Sequence, residues 1–342
     1  MIWFFLLLLV IFCIIIFKYI KSNILLPKHT VALIDEVISQ PKLTVMFNKL
    51  QYVKLKNTTI CYEHIASKNP NAEVILLLHG LGQSMLNFPP YFCQLLLDAG
   101  FQIVRIDQQD CGGSHWVENW GQPHKYTLED MASHNIQVMD HLNINKFHLV
   151  GISMGGMIAQ SMAIGYTNRV SSLTSLMSSA YFFDPKFGGI PKPFLLKIVL
   201  IFLVYGRRPK TVKGKIKVRL AIKQLLQYGN TTVYDDSTLI AAANYEITKK
   251  KGYNPKASKQ QSYAIKKSGS RIGALKKLNI PALVIHGVED PLIKFAHAKK
   301  CVAAIPNCKF LLIDEMGHHL SKKFNNEIAA AIKNLILVKG ED

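Results

Sequence analysis

The apolar positions of this chain fall into short continuous runs separated by longer amphipathic stretches. Runs suited to strands occupy 44–54, 59–66, 73–79 (EVILLLH), 101–107 (FQIVRID), 146–152 (KFHLVGI), 172–178, 281–286 (PALVIH) and 308–313 (CKFLLI). Apart from Glu73, those at 73–78 and 281–285 are hydrophobic without interruption, as strands covered on both faces by helices are. Helical spacing falls between them, at 84–99, 127–142, 154–167, 292–304 and 324–337. In the last of these Phe324, Ile328, Ala331, Ile332 and Leu335 form one apolar stripe, the mark of a packing helix. The alternation predicts an α/β fold, a mostly parallel sheet of eight strands flanked by helices. It spans residues 44–180 and 272–342. From Tyr181 to Arg271 the rhythm gives way to proline-rich and lysine-rich segments, so 181–271 reads as a helical cap over the carboxyl edge of the sheet, where such folds bind ligands.

The amino terminus follows another pattern. Residues 2–17, IWFFLLLLVIFCIIIF, hold no charge, glycine or proline, and with Met1 and Lys18-Tyr19-Ile20 they make a stretch of 20. At roughly 1.5 Å per residue that is about 30 Å of helix, the thickness of a bilayer's hydrocarbon. The pattern predicts a transmembrane helix over 1–21 and a polar, proline-marked linker over 22–43 with room for one short helix. A cleaved signal peptide would need a basic segment before the apolar run and small residues after it, and neither is present. Lys18, Lys21 and Lys28 all follow the run, which favours a membrane location with the main domain on the cytoplasmic side.

Composition narrows the classes further. A chain of 342 residues that is 49% apolar can bury a large core, which excludes disorder. Its six cysteines lie at 13, 61, 93, 111, 301 and 308, without the spacing of a disulfide framework or a metal site. The net charge of +19 is concentrated: from Lys186 to Lys277, 21 lysines and arginines face only Asp235, Asp236 and Glu246, a net +18. No nucleic-acid-binding signature accompanies this basic block, so nucleic acid is not an expected partner. An anionic lipid surface, or plain solvent, is.

The candidate chemistry starts at Gly151-Ile152-Ser153-Met154-Gly155. The pentapeptide follows the strand KFHLVGI and precedes the helix MGGMIAQSMA, the strand-turn-helix setting of a nucleophile elbow. A serine hydroxyl needs a base to take its proton, a group to orient that base, and donors for the oxyanion. An acid and a histidine follow in the required order: Glu289 or Asp290 in Gly287-Val288-Glu289-Asp290-Pro291, then His318 or His319 in Glu315-Met316-Gly317-His318-His319. Two backbone amides are expected to form the oxyanion hole, that of Met154 and that of Leu81 in His79-Gly80-Leu81-Gly82-Gln83-Ser84. His115, His134, His141 and His286 read as ordinary surface or core residues, and no HExxH-type pair supports a metal.

The four segments LLLHGLGQS, VGISMGGMIAQ, VIHGVEDP and MGHHL together resemble the α/β-hydrolase superfamily over roughly residues 44–337. The match is similar in particular to bacterial esterases of the aclacinomycin methylesterase type, which carry a DNRDTG-S-like loop after the fourth strand. Here that loop reads Asp107-Gln108-Gln109-Asp110-Cys111-Gly112-Gly113-Ser114. Gln109 replaces an arginine usual in the family and Cys111 a threonine, which puts any ion pair of that arginine in question. In such enzymes the acid follows HGxxD and the base is the histidine of a GH pair, so the resemblance selects Asp290 and His318. The amino-terminal arrangement resembles that of membrane-bound monoacylglycerol lipases of the same superfamily.

The expected activity is hydrolysis of a carboxylic ester, lipid-like on account of the anchor, the basic cap and the apolar run Phe194 to Tyr205, through an acyl-enzyme on Ser153 and with no cofactor. The expected partners are a small-molecule or lipid ester and membrane lipids. Acyl transfer, thioester cleavage and C–C bond hydrolysis are open to the same residues. A non-catalytic membrane scaffold is the rival from another class, disfavoured by the complete set of catalytic candidates.

Overall fold

The computed structural model describes residues 2–39, 44–118, 125–206, 209–227 and 236–337. Eight strands form one sheet: β1 (Gln51–Lys54), β2 (Thr59–Ile65), β3 (Val74–Leu78), β4 (Gln102–Asp107), β5 (Phe147–Ile152), β6 (Val170–Leu176), β7 (Ala282–Gly287) and β8 (Lys309–Ile313). Their order is β1-β2-β4-β3-β5-β6-β7-β8. β2 runs antiparallel to both β1 and β4, and every other pairing is parallel. The helices are α1 (Ile2–Asn23), α2 (Lys28–Ser39), α3 (Pro90–Asp98), α4 (Leu128–His141), α5 (Met154–Gly165) and α6 (Lys192–Tyr205), then α7 (Val212–Leu226), α8 (Asp236–Lys249), α9 (Pro255–Ser268), α10 (Ile272–Leu275), α11 (Phe295–Ala304) and α12 (Asn325–Leu337).

Alternation along β3 explains the two layers of core. Leu76 and Leu78 face one way, into a cluster with Met131 and Ile136 of α4 and Met157 and Ile158 of α5. Ile75 and Leu77 face the other, packing with Phe92 and Leu96 of α3 and with Ile328 and Ile332 of α12. One ion pair lies inside this apolar frame: Arg105 and Glu63, both fully buried, with Arg105 Nε donating to Glu63 Oε2 at 2.8 Å. Arg105 also donates to the carbonyl of Phe88 at 2.9 Å. The other Glu63 oxygen accepts the Phe47 and Asn48 amides at 2.7 Å, which ties the segment before β1 to the sheet.

The chain turns from β3 to β4 on one side, then crosses to β5 on the other. This reversal opens a crevice at the carboxyl ends of β3 and β5, the place where open α/β sheets bind their ligands. The helices α6 to α9 reach the loops around it. Leu226 at the end of α7 accepts the His318 amide at 2.6 Å, Gln261 of α9 accepts the Gly82 amide at 2.8 Å, and Lys250 after α8 pairs with Asp107 at 2.7 Å.

Two features of the amino-terminal region bear on their sequence readings. Within the segment read as a linker, α2 buries Thr30, Ile34 and Val37, and it packs with Ile216 and Leu220 of α7 and Ile240 of α8. Residues 40–43 lie outside the described residues. The second concerns the segment read as a transmembrane helix: α1 forms over Ile2–Asn23, and among the described residues no helix is long and apolar enough to cross a membrane. Its charge-free run ends at Phe17. Lys18 and Lys21 follow, and Ile20, Ile24 and Leu26 pack with Ile201 and Leu225 of the overlying helices. Tyr205 Oη fastens this end by accepting the Leu26 amide at 2.8 Å.

Candidate active site

The turn from β5 into α5 is built by what glycine lacks. A Cβ on Gly155 would stand 1.9 Å from the carbonyl oxygen of Leu78, and one on Gly151 would stand 2.2 Å from that of Gly155. Only glycine allows the start of α5 to approach the ends of β3 and β5 this closely. The approach forces Ser153 to φ 55° and ψ −118°, a positive φ that ordinary residues avoid. Serine commonly caps a helix by accepting from the first turn; Ser153 occupies the cap position and makes no such bond. The backbone is instead fixed from outside, since the Ser153 amide donates to Leu176 and its carbonyl accepts the Ser178 hydroxyl at 2.6 Å.

The loop after β3 runs alongside. A Cβ on Gly80 would meet that of Ser153 at 3.4 Å, so the two segments are in contact. His79 stiffens the loop from within: its Nε2 accepts the Gln108 amide at 3.0 Å and its Nδ1 lies 2.8 Å from the Gly80 carbonyl. Burial pushes the imidazole pKa down, against the Gly80 bond and the charge of Asp107, which favours a neutral ring with its proton on Nδ1. The Gly80, Gly82 and Gln83 amides are engaged, with Asn87, Gln261 and the Gly80 carbonyl respectively. Among the described residues the Leu81 and Met154 amides donate to nothing. These are the two donors that the sequence assigns to the oxyanion.

On the far side of Ser153, β7 and β8 deliver the acid and the base. Gly287 lies so near the loop after β8 that a Cβ would sit 2.0 Å from the Met316 carbonyl oxygen. This contact brings Asp290 and His318 together, with Nδ1 of His318 2.6 Å from Oδ2 of Asp290 and both residues buried. The second carboxylate oxygen accepts the Leu292 and Ile293 amides at 2.8 Å. Burial alone would raise the Asp290 pKa, but the charge and hydrogen bond of His318, the charge of His286 and the Ile293 amide outweigh it and hold the carboxyl below its ordinary range. Glu289, the alternative acid, is exposed. The alternative base, His319, is buried, and burial followed by the charges of Lys223 and His318 pushes its pKa far down. The Ser153 hydroxyl itself hydrogen-bonds to no described residue.

Several supports of the site escaped sequence reasoning. Gln261, which holds the Gly82 amide, lies in a stretch of α9 with no motif to flag it. Lys250 belongs to a lysine run that reads as mere surface charge, yet it pairs with Asp107 in full burial. That carboxylate also accepts the Met85 amide at 2.7 Å and the Gly113 amide at 2.8 Å. Lys250 thus puts a cation beside the Asp107 loop. No group of three or more His, Cys, Asp or Glu among the described residues could hold a metal ion.

A doubly wound sheet with a strained serine elbow, a buried acid-histidine pair and two free amides at its carboxyl edge defines a hydrolase of the α/β type. The model of the alpha/beta hydrolase fold family matches residues 73–324, and the chain belongs to that family of enzymes. It is 25% identical over 280 residues to rhodomycin D methylesterase of Streptomyces sp. (strain C5), covering 77% of this chain and 91% of the relative. It is 25% identical over 295 residues to a 2-hydroxy-6-oxononadienedioate/2-hydroxy-6-oxononatrienedioate hydrolase of Cupriavidus pinatubonensis (strain JMP 134 / LMG 1197), 79% of this chain and 90% of that one. Among solved structures, the esterase RhEst1 from Rhodococcus sp. ECU1013 shares the fold with a TM-score of 0.65 at 16% identity, over 86% of this chain and all of the other.

Proposed function

We propose that the protein hydrolyses carboxylic esters through an acyl-enzyme on Ser153. The observation that carries this reading is the buried Asp290–His318 pair, 2.6 Å apart, held against the Gly287 turn on the same sheet edge as the Ser153 elbow. In the proposed reaction Ser153 Oγ attacks the ester carbonyl as His318 Nε2 takes its proton, while Asp290 fixes the Nδ1–H tautomer and stabilises the imidazolium. The Leu81 and Met154 amides receive the oxyanion. His318 then returns the proton to the departing alcohol and, in a second round, activates the water that releases the acid and restores Ser153.

A lipid-like ester is the favoured substrate. α6 buries only Ile201, and Leu195, Leu196, Val199 and Leu203 face outward. On α1, Phe5, Leu8, Ile11, Ile15 and Phe17 are exposed as well. Apolar surface of this extent suits contact with lipid, and neither helix needs to cross a bilayer to make it. A C–C bond hydrolase is the second reading, supported by the name of the Cupriavidus relative.

The test is labelling with a fluorophosphonate probe followed by a substrate screen. Labelling that survives Ser153→Ala would sink the nucleophile assignment, and a folded wild type that takes no label is a scaffold. Long-chain monoacylglycerols should turn over; activity confined to short water-soluble esters removes the lipid reading, and turnover of vinylogous diketones alone selects the C–C reading.

A further inference from the structure

Helix α9 carries a side chain that the proposed chemistry does not use and that nonetheless reaches the carboxyl edge of the sheet. Gln261 is fully buried, and its Oε1 accepts the Gly82 amide at 2.8 Å across 179 residues of chain. Which end of the side-chain amide faces the loop is fixed, because a backbone N–H can only donate and so meets the oxygen. The Nε2 end then donates to Cys111 Sγ at 3.1 Å, in the loop after β4. α9 itself is held on the core. Ala264 and Ile265 join the cluster that contains Met131 and Ile136 of α4, and the Ser268 hydroxyl accepts the Leu128 amide at 3.1 Å and donates to Glu129 at 2.6 Å. The helix also lies close against the loop, since a Cβ on Gly82 would stand 2.6 Å from Ser258 Oγ.

The bond falls beside the Leu81 amide. Residues Gly80 to Gln83 form a tight turn, closed by the Gln83 amide on the Gly80 carbonyl at 3.2 Å, with Gly82 at φ 66° in its third place. Peptide units are planar, so the direction of an N–H is set by what grips its own unit and the next. The unit before Leu81 contains the Gly80 carbonyl and the Leu81 N–H, and that carbonyl is bonded to Gln83 and lies 2.8 Å from His79 Nδ1. The unit after Leu81 contains the Gly82 N–H, which Gln261 grips. The Gly80 and Gln83 amides are tied within their own segment, to Asn87 and to Gly80, whereas Gln261 ties the turn to a different layer of the fold.

We propose that Gln261 is a positioning residue for the oxyanion: by holding the Gly82 amide it aims the neighbouring Leu81 amide, and so makes α9 a part of the transition-state machinery. The proposal deepens the ester-hydrolase reading and rests on it. A donor contributes to catalysis according to how well it is aimed before the charge develops. A tie from a helix anchored on the core holds that aim better than a loop does alone. Without the tie the peptide unit after Leu81 is free to turn, and the Leu81 N–H loses its fixed direction.

The experiment compares wild type with Gln261→Met on 4-nitrophenyl butyrate and on its thiono analogue, in which sulfur replaces the carbonyl oxygen. Sulfur accepts hydrogen bonds weakly, so the thionoester draws little help from the amides. On the ester kcat should fall about 10- to 100-fold with KM nearly unchanged, as when a donor to the oxyanion is weakened. On the thionoester the fall should be less than about threefold, so the ester-to-thionoester ratio of kcat/KM drops about tenfold. Gln261→Asn, one methylene short of the Gly82 amide, should lower the ratio in the same way, and it carries the test if the methionine variant does not fold. Equal losses on the two substrates would mean that Gln261 only supports the fold, and an unchanged ester rate that it does nothing for the reaction; either result overturns the proposal. A wild type that cleaves neither substrate removes the hydrolase reading itself, whereas an active wild type whose ratio survives in both variants removes the role of Gln261 alone.

Discussion

Substitution of Gly155 by alanine tests how packing sets the chemistry. The new Cβ would lie 1.9 Å from the Leu78 carbonyl oxygen, 2.5 Å from its carbon and 2.7 Å from the His79 oxygen, all backbone atoms that no rotamer change can move aside. Ordinary contact begins near 3.4 Å, so the start of α5 and the end of β3 must part by about 1.5 Å. The two free amides lie on opposite sides of this gap, Met154 at the head of α5 and Leu81 in the loop that follows β3. Parting them widens the proposed oxyanion hole, and a misplacement near 1 Å costs about 100-fold in rate. The overpacking itself should cost about 1–3 kcal/mol of stability. The assay is kcat/KM on 4-nitrophenyl butyrate together with urea unfolding. Gly165→Ala, at the other end of the same helix, is the control: no atom lies within 4 Å of its new Cβ, so activity should hold. Gly155→Ala activity within about threefold of wild type would refute the link from this contact to catalysis.

Other outcomes follow from the same structure. Asp290→Asn should keep the fold but lower kcat on the order of 10⁴-fold, because the amide no longer selects the Nδ1–H tautomer of His318; a loss below tenfold would mean that another group orients the base. Arg105→Met strands the buried Glu63 carboxylate and should cost about 3–5 kcal/mol by urea unfolding, and adding Glu63→Gln should recover part of the loss. Stability should also fall in acid. For Asp107, burial opposes ionisation, but Lys250 and the Met85 and Gly113 amides outweigh it, so this carboxyl, like that of Asp290, is held below its ordinary range in the folded state. The unfolded chain therefore binds protons first as pH falls. The contribution is complete above the unfolded value near 3.9 and is lost as pH drops through the folded ones, which a series of melts from pH 6 to pH 3 measures.

The sheet was legible because its strands carry their information locally. β3 and β7 are continuous apolar runs, and the turns after β5, β7 and β8 announce themselves through glycines and through the chain order of serine, acid and histidine. Periodicity located the helices but not their first turns: 84–99 reads as one helix, whereas Pro90 starts α3 and Met85–Asn87 form a separate short turn. That turn exists because Asp107 accepts the Met85 amide across 22 residues of sequence, a tertiary bond invisible to local pattern.

The cap was least legible, and for a physical reason. In the core a residue's neighbours repeat with the period of its own element, so burial can be inferred from spacing. In α7 to α9 the decisive contacts are single polar side chains reaching loops far away in the chain: Gln261 to Gly82, Lys250 to Asp107, Glu246 to Ser84. Net charge obscured them further, because 21 basic residues in one segment read as a solvated face although Lys223 and Lys250 are buried within it. At α1 a count of apolar residues says nothing of the end of the helix, where Ile20 and Ile24 dock on Ile201 and Leu225. Composition measures how much apolar or charged surface a segment carries, and only the partner across the fold decides whether that surface meets core, solvent or substrate.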